Sequence, residues 1–339
     1  MSRKKTEVVV ITGASAGVGR ATAHRFARDG ARIALLARGS QGLEVAAEEV
    51  RKLGGEALPI PVDVSDAEAV EAAAGRIEQE LGPIDIWIND AMATIFSPVH
   101  EITPDEFRRA TEVTYLGTVY GTMAALKRMR ERNCGTIVQV GSALAYRAIP
   151  LQSAYCGAKF AIRGFTDALR VELMHDRSDI HITMVQLSAF NTPQFQWGRT
   201  KLPRRPQPVP PIFQPEVAAK GIHWAAHHRR RELNVGFPAV KAILGNKLAP
   251  KLADRALVKL GYAGQMGKLP LPEVRPDNLY EAVPEDYGTH GRFDARSKAT
   301  SLQLWATTHR GLVAAGALAA GALLWAGRRS MRPARRRFD

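Results

Sequence analysis

Val8-Val9-Val10-Ile11-Thr12-Gly13-Ala14-Ser15-Ala16-Gly17-Val18-Gly19 is the stretch that decides the fold. Its first four residues are apolar, β-branched and bounded by polar neighbours, the pattern of a fully buried strand. The glycines that follow permit positive φ and a close approach of the backbone. From Arg20 to Ala31 apolar residues then return at helical spacing. A strand, a glycine-rich turn and a helix in that order aim backbone N–H groups and a helix N-terminus at a pyrophosphate. The placement carries the reading more than the glycines do. It makes Thr12, Gly13, Ser15, Gly17, Val18 and Gly19 candidate contacts of a dinucleotide.

Outward from this stretch the alternation continues. Ile33–Leu36, Pro59–Val64, Ile84–Ile88, Thr136–Val140 and His181–Leu187 read as further strands. Leu43–Leu53, Ala67–Leu81 and Pro104–Arg130 read as helices between them. Strands alternating with helices predict a parallel sheet covered on both faces, and right-handed crossovers make it a Rossmann-like doubly wound α/β fold. The pattern breaks at 191–215, where Pro193, Pro203, Pro206, Pro208, Pro210, Pro211 and Pro215 block helix interiors. A long irregular excursion with Phe195, Trp197 and Phe213 suits a lid. The expected organisation is a catalytic domain over 1–265 with that lid, an irregular extension over 266–300, an apolar helix over 301–327 and a basic tail over 328–339.

The end of the second strand reads Ala37-Arg38. A carboxylate there would accept hydrogen bonds from both ribose hydroxyls of NAD and repel a 2′-phosphate. A guanidinium pairs well with phosphate instead, so Arg38 points to NADP(H). Asp63, with Val64 beside it at the third strand's end, is placed to meet the adenine amino group.

Ser142 follows the strand Thr136–Val140, and thirteen residues later comes Tyr155-Cys156-Gly157-Ala158-Lys159. Spacing i, i+4 puts Tyr155 and Lys159 on one helix face. An unperturbed phenol titrates near pH 10, and a neighbouring ammonium favours its ionised form, which would make Tyr155 a usable acid and base. A serine hydroxyl beside it can hydrogen-bond a substrate carbonyl.

With the glycine turn, Asp63, Asn89-Asp90-Ala91-Met92, Ser142, Tyr155 and Lys159, the chain resembles the short-chain dehydrogenase/reductase superfamily of single-domain type over roughly residues 5–240. The resemblance implies one Rossmann-like domain holding both cofactor and substrate. It implies Tyr155 as general acid/base, Ser142 as the group that polarises the carbonyl, and Lys159 on the nicotinamide ribose. It brings Asn89 to the cofactor site and Thr192 to the carboxamide, and it implies a homo-oligomer. Several positions depart from the family pattern. Asp90 and Met92 stand where the family has asparagine and glycine, Thr114 stands where it has an asparagine that helps hold a relay water, and Leu187-Ser188 replaces Pro-Gly.

Gly311–Gly327 holds seventeen residues without a charge. As a helix it would measure about 25 Å, short of a hydrocarbon core of about 30 Å. Arg310 and Arg328 could snorkel to extend it. It reads as a possible membrane anchor, with the tail drawn to anionic headgroups, and that would favour a lipophilic substrate.

The net charge of +14 is local. Residues 328–339 carry six arginines against Asp339, and 199–231 carry eight cations against Glu216, which leaves the remainder nearly neutral. No reader motif accompanies these runs, so nucleic acid is not the expected partner. Two cysteines exclude a disulfide scaffold and a four-cysteine zinc site, and His227-His228 reads as an exposed helix end, so no metal is expected. The apolar run at Val8 is too short for a signal peptide, and a cytoplasmic catalytic domain is expected. The sequence therefore points to an NADP(H)-dependent oxidoreductase acting on a carbonyl/alcohol pair. The alternative is a non-catalytic, membrane-associated scaffold that binds a dinucleotide.

Overall fold

The computed structural model describes residues 6–330. Seven parallel strands form the central sheet: β1 (Val8–Thr12), β2 (Arg32–Ala37), β3 (Glu56–Pro61), β4 (Ile86–Asn89), β5 (Thr136–Ser142), β6 (His181–Leu187) and β7 (Glu232–Val235). Their spatial order is β7-β6-β5-β4-β1-β2-β3. The order reverses at β1, where β4 pairs with one edge and β2 with the other. In an open α/β sheet the crevice for a ligand lies at that reversal, beyond the carboxyl ends of the strands. Every residue of β1 is buried, as a strand covered on both faces requires.

On one face α1 (Gly17–Ala27) packs against α2 (Ser40–Lys52) and against α7 (Pro215–Ala226). On the other, α3 (Ala67–Glu80) packs on α5 (Gly117–Arg132), and α4 (Pro104–Thr111) packs on α6 (Ser153–His175). Trp87, Ile84, Ile137, Ala74 and Ile77 share the core of that second face. The helices α8 (Phe237–Leu248) and α9 (Pro250–Gln265) follow β7.

Three elements differ from the expectation. The third strand spans Glu56–Pro61 rather than 59–64; it is the sheet edge, where Pro59 and Pro61 can sit without donating to a further neighbour. The helix expected over 104–130 is interrupted by a π turn at Glu112–Leu116, a distortion that occurs mostly as single turns, frequently at functional sites. Its Thr114 is fully buried, and its hydroxyl donates to the Ala93 carbonyl at 3.0 Å and accepts from the Ala93 N–H at 2.9 Å. The strand β7 went unread because Arg229–Arg231 precedes it and only Leu233 and Val235 of its four residues are apolar.

The excursion after β6 is pinned by short ladders. Ile95–Phe96 pairs with Arg199–Thr200, Arg204–Pro206 pairs with Met266–Pro270, and Ile212–Phe213 lies between Ala189–Phe190 and Ser297–Lys298. Phe96, Phe195, Leu202, Ile212 and Phe293 bury a small second core there.

Residues through Ser301 form one compact unit, and those from Leu302 form another. Within the second, Leu302–Thr308 and Arg310–Ser330 are helical. The single apolar helix expected over 301–327 is thus two helices, and the membrane span is corrected: no helix among the described residues is long and apolar enough to cross a membrane. Alanine and glycine supply most of the uncharged stretch and contribute little transfer energy, and seventeen residues fall short of the roughly 20 that a bilayer asks for. The part of the basic tail over 331–339 lies outside the described residues.

Candidate functional site

The turn after β1 has the geometry its glycines allow. Gly13 sits at φ +73° and Gly17 at φ +57°, the left-handed region that side chains disfavour. A Cβ at Gly13 would also stand 2.9 Å from the Ala91 Cα. At Gly19 a Cβ would run into the Gly13 carbonyl, so this glycine serves the packing of α1 on the turn. Beyond the turn opens a cavity of about 1020 Å³. Gly13, Ser15, Gly17 and Val18 form its floor at one end, with Arg38, Asp63 and Val64 beside them.

Three of the expected cofactor contacts do not line that cavity: Thr12, Gly19 and Asn89. The Thr12 hydroxyl accepts the N–H groups of Asp90 and Ala91 at 3.0 and 3.1 Å and so ties β1 to the loop after β4. The Asn89 amide donates to Thr122 at 3.1 Å and to Gln139 at 2.9 Å, and its oxygen accepts the Trp87 indole N–H. Its bonds thus go to β4, β5 and α5. These residues hold the strand ends in register.

Two more expected contacts line the cavity but are already engaged. The Arg38 guanidinium donates to the backbone carbonyls of Asn278, Leu279 and Tyr280. Asp63 accepts from Arg109, and from the Ser65 N–H and hydroxyl at 3.0 and 2.8 Å. Burial raises the Asp63 carboxyl, yet the Arg109 and Ser65 hydrogen bonds prevail and hold it below its ordinary value.

Ser142 ends β5, and Tyr155 and Lys159 lie one turn apart on α6; all three face the cavity. The Lys159 ammonium donates to the Val140 carbonyl at 2.6 Å and lies 5.5 Å from the centre of the Tyr155 ring. Burial pushes the Tyr155 phenol up, and its hydrogen bond with Ser142 pulls the other way. The expected lowering of the Tyr155 value by Lys159 is therefore corrected: the ammonium is directed at a backbone carbonyl, and burial prevails. Thr192 borders the same cavity with its Oγ1 buried and without a hydrogen-bond partner.

Asp90 was not among the expected site residues. It lines the cavity beside Lys159. Burial raises its carboxyl against the pull of Lys159 and of the Gly19 N–H, while burial lowers Lys159 against the pull of Asp90. The signal for it was the acid at a position where the resembling family has asparagine. The far end of the cavity is largely apolar, walled by Val209, Phe213, Phe237, Leu257 and Leu260, with Lys241 and Asn246 among them.

The donor set fits a nicotinamide dinucleotide. The turn leaves a cradle that a Cβ would fill, Thr192 offers an unanswered hydroxyl, and Lys159 and Tyr155 stand between the two ends of the cavity.

Comparison with known proteins agrees with this geometry. A family model described as short chain dehydrogenase matches residues 7–201. An uncharacterized oxidoreductase of Bacillus subtilis (strain 168), YxnA, is 30% identical over 328 residues, covering 96% of this chain and 91% of that one. Estradiol 17-beta-dehydrogenase 11 of Mus musculus is 36% identical over 167 residues, covering 49% of this chain and 56% of that one. Among solved structures, an alcohol dehydrogenase from the archaeon Thermococcus sibiricus complexed with 5-hydroxy-NADP is similar, with a TM-score of 0.59 and 27% identity, over 68% of this chain and 96% of that one.

Proposed function

Because the chain belongs to the short-chain dehydrogenase family, we propose that it is an NADP(H)-dependent oxidoreductase that interconverts a carbonyl and an alcohol on a lipophilic substrate. The observation that carries the proposal is the meeting of Ser142, Tyr155 and Lys159 on one wall of a cavity whose floor is the glycine turn. The nicotinamide, when bound, supplies or accepts the hydride.

The chain's own groups do the rest. The Ser142 hydroxyl holds the substrate oxygen beside the Tyr155 phenol. Tyr155, kept protonated by its burial, donates its proton to that oxygen as the carbonyl is reduced and takes it back in the reverse direction. Lys159 is oriented by Val140 to meet the ribose hydroxyls. The Thr192 hydroxyl answers the carboxamide, and Gly13, Ser15, Gly17 and Val18 hold the pyrophosphate.

The absence of a carboxylate at the end of β2 and the presence of Arg38 there support NADP(H). A phosphate is a stronger acceptor for a guanidinium than neutral carbonyls are, so Arg38 would exchange its backbone partners for the 2′-phosphate. The likeness to a dehydrogenase solved with an NADP analogue supports the same choice. For a lipophilic substrate, support comes from the largely apolar far end of the cavity and from the likeness to an estradiol dehydrogenase.

The test is Tyr155→Phe. Loss of the proton donor should lower kcat by about 10²–10⁴-fold while NADPH affinity stays within twofold. One observation favours a non-catalytic dinucleotide-binding protein: the Thr114 hydroxyl, at the relay position, is spent on Ala93. Under that reading no carbonyl or alcohol is turned over by the wild-type protein, and Tyr155→Phe changes nothing.

A further inference from the structure

The extension after Pro270 does not simply trail over the surface. Residues 277–291 cross the end of the cavity where the glycine turn lies, and Asn278, Ala282, Val283, Glu285, Asp286 and Tyr287 face into it. The crossing is fastened at both margins. At the β2 side, Leu279 is fully buried, and Arg38 and Arg109 donate to the carbonyls of residues 278–280. At the turn, Arg20 pairs with Asp286, and the Gly17 N–H at the start of α1 donates to the Gly288 carbonyl at 3.1 Å. Near Thr192, the Gly291 N–H donates to the Asn191 carbonyl at 3.1 Å, and the Tyr287 ring meets Trp197 edge-on at 4.7 Å.

Two features of this crossing suit a dinucleotide. The Asn278 Oδ1 is buried at the cavity with no hydrogen-bond partner, although a buried acceptor left unmet costs about 1–3 kcal/mol. The Arg38 guanidinium and the Gly17 N–H, both suited to phosphate, are spent on neutral carbonyls of the same short segment. Each of those contacts is one that a dinucleotide's phosphates would compete for.

We infer that residues 277–291 are a closing wall of the dinucleotide site, with Asn278 its polar contact, and that this wall swings out to admit the cofactor and shuts over it. The inference rests on the dinucleotide reading of the cavity. Arg38 and the Gly17 N–H hold the wall shut by its carbonyls, and they pass to the phosphates once the cofactor is seated. Entry and release are then both limited by opening of the wall.

A disulfide can hold the wall in place. A Cβ built at Gly39 lies 3.5 Å from the Ala282 Cβ, within the range of about 3.5–4.5 Å that a disulfide spans. Gly39 needs no special backbone, since its φ is −81°. The paired variant Gly39→Cys/Ala282→Cys, in a Cys134→Ser background because Cys134 is exposed, is mixed with NADPH in a stopped-flow fluorimeter before and after oxidation. Oxidation is expected to slow both association and dissociation at least tenfold. Dithiothreitol is expected to restore both rates, and each single-cysteine variant should be indifferent to oxidant. NADPH binding with rates unchanged by oxidation overturns the wall while leaving the cavity's reading intact. No NADPH binding by the reduced protein overturns the dinucleotide reading and the wall with it. In equilibrium titration, Asn278→Ala is expected to weaken NADPH about tenfold, the loss of one hydrogen bond to a buried acceptor. Unchanged affinity removes Asn278 from the site.

Discussion

Thr192 offers the sharpest residue-scale test of what the cavity holds. Its hydroxyl is buried without a partner, and its methyl lies 3.3 Å from where a Gly17 side chain would begin. Thr192→Val keeps the shape and removes the hydroxyl. It should weaken NADPH by about tenfold, one hydrogen bond's worth, and leave the melting temperature of the ligand-free protein unchanged or slightly higher. Unaltered affinity in a fluorescence titration would remove Thr192 from the cofactor site. The same scale shows where motif reading stops. Thr12 and Asn89 match the motif by type and position, yet their side chains bond the neighbouring loop, strands and helix and do not line the cavity, because orientation at a strand end is set by which neighbours offer partners. Asp90 was legible as a departure, but its consequence was not. The raised carboxyl comes from burial, which prevails over the pull of Lys159, a tertiary fact with no local signature.

At the scale of elements, Glu106 joins the proline-rich excursion to the main fold. It completes the capping box of α4 with Thr103 and accepts from Arg199 at 2.9 Å and Lys201 at 2.8 Å, its own side chain only 8% exposed. Burial alone would raise its carboxyl; the hydrogen bonds from Lys201, the Thr103 N–H and Arg199 win, and it falls to about 2. A carboxylate depressed in the native state stabilises it above the unfolded pKa, and that stabilisation is lost as pH falls through the native one. Denaturant titrations should therefore show stability dropping between pH 4.5 and pH 2, by an amount on the order of 3 kcal/mol. Glu106→Gln should lack that share of the pH dependence and be less stable at pH 7. An identical pH profile in the variant would show that the cluster contributes nothing.

The excursion itself could not be read as ordered. Proline removes helix as an option, but two-residue strands such as Ile212–Phe213 and Arg199–Thr200 are too short for a period to emerge. The apolar strands of the sheet, by contrast, were plain wherever four buried residues ran together. The π turn was hidden because a helix that slips by one residue keeps its apolar spacing on either side.

At the scale of the molecule, one cavity runs from the glycine turn to α8 and α9, and the proposed function places cofactor and substrate together in it. Part of the basic run over 199–231 is paired with carboxylates of the chain itself. Arg199 and Lys201 meet Glu106, Arg199 also meets Asp277, and Arg231 meets Asp167. The doubly wound parallel sheet, the cavity at its reversal and the shared helix face of Tyr155 and Lys159 follow from motifs spaced along the chain. The path of residues 277–291 does not, because it is held by arginines reaching backbone carbonyls, which any sequence possesses. The central claim is that this cavity is an NADP(H) site, and titrating the purified wild-type protein with NADPH and NADH in parallel, by cofactor fluorescence, tests it most directly. Saturable binding with NADPH at least tenfold tighter than NADH is the predicted result. Binding of neither cofactor would contradict the account.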